Sequence, residues 1–307
     1  TGEKVMIKDV SIPAMDKLES TIIWRPESTG DIKLTLSVPT APGEINVDNN
    51  QLDAPIAIRQ EQLKVLIIES FPRWEYRYLL NALERDKAVE VKSLLFHPEL
   101  AKVGGGRKYY LDAFPDDASL AKFDVVFLGD VGVGPRQLTA GECKRLKLLV
   151  RDQATGLVFL PGFHGNHYQL LETELADLYP VVLDQARKQG IGSQVPGRME
   201  LTKAGRKSLL TKLEDDEDSN SRRWRNLPGF QWHAAALRAK AGTSTLARHR
   251  SISGRFGRTP LIVTKTYGTG KILYMGTDGA WRWREGFEDT YHYRFWGQVA
   301  LWMAYQR

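Results

Sequence analysis

Two apolar patterns divide the chain near residue 61. Before it, short runs alternate: Ile32-Lys33-Leu34-Thr35-Leu36-Ser37-Val38 places apolar side chains at every second position, the signature of a half-buried strand. Residues 19–26 and 55–59 read as further short strands, with turn chemistry at Pro39 to Gly43 and at Asp48-Asn49-Asn50. After it, the runs become continuous. Residues 64–69, Val89 to Leu95, 123–129 and 157–160 are apolar enough for strands covered on both faces. Helical periodicity lies between them. Pro72 suits a first turn and is followed by Tyr76, Leu79, Leu80 and Leu83, while Thr139 and Glu142 form a capping-box pattern opening a helix to about Gln153.

Strand and helix alternating in this way predict a mostly parallel, doubly wound α/β sheet of flavodoxin-like type over 62–307. A partial β-sandwich segment over 1–61 precedes it. Residues 168–178 read as a helix. Residues 261–266 and 271–275 read as paired strands around Tyr267-Gly268-Thr269-Gly270, and a final helix starts near Thr290. The acidic run Glu214-Asp215-Asp216-Glu217-Asp218 followed by Arg222-Arg223-Trp224-Arg225 reads as a solvated loop entering a helix by its negative end.

Ligands of open parallel sheets bind beyond the carboxyl ends of the strands. Those ends carry Glu69, Arg73, Trp74 and Arg77 after the first strand, Asp130 after the third, and Phe163, His164 and His167 after the fourth. The late strand ending at Met275 leads into Asp278 and Trp281-Arg282-Trp283-Arg284. Arg73 and Arg77, four apart, share a helix face and suggest a positive rim. Alternation in Trp281-Arg282-Trp283-Arg284 has two meanings. It braces two indoles in the core, or it builds a site in which Trp offers a flat apolar face and Arg pairs with an anion.

The turn after residue 160, Pro161-Gly162-Phe163-His164-Gly165, has the form of a nucleophile-bearing strand end but holds no Ser or Cys. Cys143, the sole cysteine, falls on the apolar face of the predicted helix with Leu146 and Leu149 and reads as core. One cysteine excludes an intrachain disulfide and a thiolate metal cage. His164 and His167 lack converging partners at metal-ligand spacing, so no metal is expected. The clusters Gly104-Gly105-Gly106 and Gly268-Thr269-Gly270-Lys271 lack the strand–loop–helix setting of a phosphate loop, and no cofactor is expected. A formal charge of +6 over 307 residues, without a concentrated basic face, argues against nucleic acid as main partner. No run reaches the ~18 apolar residues that span a bilayer. The start at Thr1 suggests an excised part of a longer protein.

Pro72-Arg73-Trp74-Glu75-Tyr76-Arg77, residues 156–165, Leu201-Thr202 and residues 270–302 with Trp281-Arg282-Trp283-Arg284 resemble class I glutamine amidotransferase-like domains of bacterial membrane-associated proteins, some with von Willebrand A modules. Ile22-Ile23-Trp24-Arg25-Pro26, Gly30-Asp31 and Asp48-Asn49-Asn50 resemble the second half of CARDB-type Ig-like domains. Glutaminases of that superfamily carry a Cys at the elbow and a late His-x-Glu. Here Phe163 or His164 stands near the cysteine's place. His97-Pro98-Glu99 matches His-x-Glu but precedes the elbow, and reads as a turn. The resemblance therefore implies a catalytically silent ligand-sensing or protein-interaction module on an extracytoplasmic or membrane-associated face. Its partners would be other domains of the same protein, envelope proteins, or a small anionic or sugar ligand. Two alternatives stand beside it: a hydrolase using His164 as general base with Asp130 or Glu69, and carbohydrate or polyanion binding by Trp281, Arg282, Trp283 and Arg284.

Overall fold

The computed structural model describes residues 5–12, 18, 20, 22, 24, 26, 30–58, 62–97, 108–286 and 288–304. Contacts divide the chain into Thr1–Glu61 and Gln62–Arg307. In the first unit, β1 (Gly30–Ser37) and β2 (Gln51–Ile58) form one antiparallel hairpin, with Lys33 and Thr35 bonded to Asp53 across it. The half-buried alternation read at residues 32–38 is thus a strand, but Leu36 and Leu52 are largely exposed. One two-stranded ladder among the described residues has no second sheet to cover it. The Ig-like sandwich expected here is corrected to a hairpin. Most of the strand expected at 19–26 lies outside the described residues, as do Pro98, Glu99 and residues 104–106.

The second unit opens with β3 (Leu63–Glu69), α1 (Trp74–Glu84) and β4 (Val89–Leu95), then α2 (Asp117–Leu120), β5 (Val125–Leu128), α3 (Ala140–Gln153) and β6 (Gly156–Phe159). Alternate residues of the central strands supply two cores. Val65, Ile67, Val125, Phe127 and Val158 face α1 and the C-terminal helix. Leu66, Ile68, Val126, Leu128, Leu157 and Phe159 face α3. Burial on both sides is why these strands read as unbroken apolar runs. The capping box at Thr139 and Glu142 forms in full, and Cys143 is buried.

Beyond β6 the chain adds β7 (Val181–Leu183), β8 (Ile191–Gly197), β9 (Met199–Leu201), α4 (Lys203–Lys207), α5 (Glu217–Asn226), β10 (Phe230–His233) and β11 (Ala236–Ala239). It closes with β12 (Ser244–Gly254), β13 (Gly257–Tyr267), β14 (Gly270–Met275) and α6 (Thr290–Ala304). The main sheet has the order β4-β3-β5-β6-β14-β13-β12-β9. The pairs among β4, β3, β5, β6 and β14 are parallel, whereas β14–β13, β13–β12 and β12–β9 are antiparallel. The expectation of a mostly parallel, flavodoxin-like doubly wound sheet is therefore corrected. This is a mixed α/β sheet, because hairpin connections after residue 243 replace the strand–helix crossovers that a parallel sheet requires. The helix expected at 168–178 is two 3-10 segments, Asn166–Glu172 and Glu174–Asp177. Among the described residues, no helix is long and apolar enough to cross a membrane.

Candidate functional site

The strand order reverses between β3 and β5, the place where an open α/β sheet parts its loops and leaves a crevice. Here the chain's own side chains fill it. Glu69, the last residue of β3, is 1% exposed. One carboxylate oxygen accepts the N–H groups of Ser70 and Asp130, each at 2.9 Å, and the other accepts Arg73 Nε at 2.8 Å. Gly129 makes this possible, since a Cβ there would stand 2.1 Å from Glu69 Oε2. Arg73 also donates to the carbonyls of Pro161 and Leu160, at 3.0 and 2.5 Å, and its Nη1 lies 3.6 Å from Asp278 Oδ2. One guanidinium thus ties the ends of β3 and β6 to the loop after β14.

Asp130 is fully buried and organises the turn after β6. Its Oδ2 accepts the His164 N–H at 2.8 Å, its Oδ1 lies 3.3 Å from His167 Nδ1, and its carbonyl accepts Asn166 Nδ2 at 3.2 Å. Burial presses this carboxyl upward, but the His167 hydrogen bond and the charge of Arg73 outweigh it and hold it below the usual range. Glu69 is moved the other way: burial raises it against the pull of Arg73, with Asp130 adding to the rise. Asp278 is raised as well, by burial first and then by Glu75 and Asp130, with Arg73 opposing.

The sequence-selected residues therefore separate into two groups. Glu69, Arg73, Asp130, His167 and Asp278 meet in the crevice. Arg73 sits at the N-cap with its side chain turned inward, so the shared positive rim with Arg77 is corrected; Arg77 is exposed and Arg73 is spent on the crevice. His164 and Phe163 are exposed, and the His164 imidazole stacks on Phe71 at 4.0 Å. Among the described residues, neither Asp130 nor Glu69 hydrogen-bonds that ring, because both carboxylates are engaged by other donors. No cluster of three or more metal-ligating side chains occurs among the described residues.

The second group is a surface of aromatic rings and guanidinium groups. Trp281 to Arg284 are not an alternating strand but part of a 3-10 turn, Ala280–Arg284. That geometry sends Trp283 into the core, 3% exposed, against Trp224 and Phe295, so Trp283 is corrected from ligand contact to core residue. Trp281 stays partly exposed beside Trp74 and Tyr78, with centroid separations of 5.9 and 6.1 Å, and Trp74 itself is 54% exposed. Each ring carries a cation: Arg77 over Trp74, Arg282 over Trp281 and Arg284 over Tyr78, at 5.3, 4.5 and 3.9 Å. Buried Glu75 fixes the platform from below, accepting the Trp281 N–H at 3.0 Å and Trp296 Nε1 at 3.1 Å. An open cavity of about 430 Å³ is lined by Tyr78, Trp281, Arg282, Arg284 and Glu285, with Arg284 also paired to Asp289, which leaves Arg77 and Arg282 as the cations of the platform without a carboxylate bonded to them among the described residues. Sequence reading missed Tyr78, and took Glu75 for a neutraliser of the rim rather than the buried acceptor beneath the platform. The signal for Tyr78 was its i,i+4 spacing from Trp74.

No family model matches this chain, and no curated protein sequence matches it. Its fold is similar to that of Cytoplasmic Protein STM1381 from Salmonella typhimurium LT2, with a TM-score of 0.55 and 18% identity over 78% of this chain and 99% of that one. Cytoplasmic Protein STM3548 from Salmonella typhimurium gives 0.56 and 15% over the same shares. A β-galactosidase from Rahnella sp. R3 reaches 0.45 at 12% identity over 79% of this chain and 31% of its own. Nothing among these likenesses points to a glutamine amidotransferase-like or CARDB domain, and the resemblance drawn from sequence motifs is corrected: this chain shares its fold with the two Salmonella proteins.

Proposed function

We propose that this chain is a non-catalytic binding module whose site is the Trp74–Tyr78–Trp281 platform with Arg77, Arg282 and Arg284. One observation carries the reading. The crevice at the strand ends, where an α/β enzyme would hold its substrate, is filled by the Glu69–Arg73 pair, while the platform beside it is open. Flat ring faces favour the C–H face of a sugar, and guanidinium groups favour carboxylate or sulfate. The ligand class is therefore an anionic saccharide. The hydrolase alternative lacks a carboxylate on the His164 ring among the described residues. An extracytoplasmic or membrane-associated setting on a bacterial cell, with other domains of a longer protein or envelope proteins as neighbours, belongs to the same proposal, since polyanionic glycans are met there.

Calorimetric titration of the full chain with an oligogalacturonate and with its neutral methyl ester tests this. The expected result is saturable binding of the anion, reduced at least five-fold in Trp74→Ala and in Arg77→Ala with the melting temperature unchanged. Equal binding of the ester, or amide or glycoside turnover lost in His164→Ala, overturns the proposal.

A further inference from the structure

Between Ser219 and Thr277 the chain carries eight arginines and three lysines and no acidic residue. Folding gathers five of those arginines on the β12–β13 hairpin and on β11 beside it. Arg248 stands opposite Glu200 in the β12–β9 register, and its Nε lies 3.4 Å from that carboxylate, which also takes Arg258 of β13. Arg250 lies two positions further along β12 and is exposed. Arg255 in the turn and Arg238 of β11 hold their guanidinium groups 5.5 and 5.6 Å from the centre of the Phe256 ring. Among the described residues, Glu200 is the one carboxylate bonded to any of the five.

The hairpin projects from the sheet. β9 pairs with β12 only as far as His249, and β14 pairs with β13 only from Ile262. Beyond those points the two strands pair with each other, Ser253 opposite Arg258 and Gly254 opposite Gly257. Buried His249 holds the base of the projection, its Nδ1 accepting the N–H groups of Ser251 and Ile252 at 3.2 and 2.9 Å. Gly257, at φ +95°, supplies the positive-φ backbone that closes the turn after Arg255 and Phe256. A Cβ at Gly254 or at Gly257 would meet nothing within 4 Å, so the apex stands in open space. Phe256 lies at that apex and is 52% exposed.

Five guanidinium groups against one carboxylate leave the hairpin positive, and guanidinium pairs with phosphate oxygens in a fork. A compact anion is best held in a concave nest, whereas these arginines are strung along a projecting ribbon. A nucleic-acid strand stacks successive bases on successive rings. Residues 250–258 hold a single aromatic ring, at the outermost point. That ring calls for a partner that is anionic at its surface and apolar beneath it. An anionic bilayer has both layers: headgroup phosphates for the arginines, and the headgroup–acyl boundary for the ring. We propose that the β12–β13 hairpin docks this domain on an anionic lipid surface, with Phe256 in the interfacial layer and Arg238, Arg250 and Arg255 on headgroup phosphates.

The test sediments the full chain with vesicles of phosphatidylcholine alone and of phosphatidylcholine mixed with phosphatidylglycerol. The expected result is binding to the mixed vesicles only, weakened by added salt. Arg250→Gln and Arg255→Gln should each weaken it roughly five-fold, the effect of removing one cation beside an anionic bilayer. Phe256→Ser should weaken it as much without moving the melting temperature. In Phe256→Trp, lipids brominated on their acyl chains should quench the added indole beyond the quenching of the native protein. Equal binding to neutral vesicles overturns the proposal. So does binding that ignores Phe256→Ser and gives no added quenching, which would mean that charge alone acts. Release of the protein from vesicles by a single-stranded oligonucleotide at equal phosphate concentration would assign the hairpin to nucleic acid instead. The native comparison of the two vesicle types decides the matter should a variant fail to fold. Saccharide binding at the Trp platform is read in its own titration, so its absence leaves this result standing.

Discussion

Asp130 Oδ2 accepts the main-chain N–H of His164 at 2.8 Å across 34 residues of sequence, and so the end of β5 dictates the shape of the turn after β6. Gly162 is part of the same arrangement, because a Cβ there would stand 2.8 Å from Asp130. The carboxylate works as a main-chain organiser, and the imidazole it positions is left free to stack on Phe71.

Removing that carboxylate should be costly. Asp130→Ala leaves the His164 N–H and the buried His167 ring without their acceptor, a loss of about 3 kcal/mol in urea unfolding. The pH dependence has a definite sign. Asp130 is held below its unfolded value, so its contribution is full above pH ~4 and is lost as pH falls through the folded value. The stability gap between native protein and Asp130→Ala should therefore narrow in acid. An unchanged gap between pH 7 and pH 3 would show that the charge at Asp130 contributes nothing.

Gly129 is the complementary case. Its missing Cβ leaves the volume into which Glu69 projects, at 2.1 Å from Glu69 Oε2. Gly129→Ala should destabilise by about 2 kcal/mol through overpacking and displacement of the ion pair. Coupling checks the cause. In the double variant Gly129→Ala with Glu69→Ala the penalty of the added methyl group should largely vanish, and an additive result would place the strain elsewhere.

The half of the sheet that binds apolar layers on both faces was legible from residues alone. Residues 64–69, 123–129 and 157–160 lie within or across β3, β5 and β6, and the capping box opens α3 as its residues demand. The antiparallel pair β13–β14 was legible too, as strands around Tyr267-Gly268-Thr269-Gly270; what hid was the outer edge beyond it. β12 carries Arg248, His249 and Arg250 in the middle of an eleven-residue strand with register shifts, so neither a two-residue nor a continuous apolar pattern survives there. The site followed the same logic. Glu69, Arg73 and Asp130 stood at strand ends and were identifiable as charged crevice residues. That they are bonded to one another depends on the β3–β5 adjacency, which is a tertiary fact. His233 and His249 come from β10 and β12, and the main-chain groups that bond their Nδ1 atoms are announced by no residue type.

A buried and an exposed tryptophan, Trp283 and Trp74, should behave differently. Trp283 packs against Trp224 and Phe295, and Trp283→Ala should cost about 4 kcal/mol. Trp74→Ala, at an exposed position, should change stability by less than about 0.5 kcal/mol. Chemical denaturation of both variants reads the difference. Comparable losses would mean that Trp74 is packed rather than displayed, and the platform would lose its outer ring.

His249 gives the last prediction, with the same sign as Asp130 but a different cause: here the fold refuses the charged form, where at Asp130 it holds it. Burial and the neighbouring His233 hold it at about 4 in the fold, against 6.5 unperturbed. Between those values the unfolded chain binds a proton that the folded chain refuses. Its contribution is full above pH 6.5 and is lost as pH falls toward 4, below which no further loss accrues. The whole shift is worth on the order of 3 kcal/mol. His249→Asn keeps an oxygen to accept the Ser251 and Ile252 N–H groups without titrating in this range. Between pH 7 and pH 4.5 the variant should therefore lose about 2 kcal/mol less than the native protein in urea unfolding. Equal losses would mean that the imidazole titrates as it does in water, against its 3% exposure in the fold.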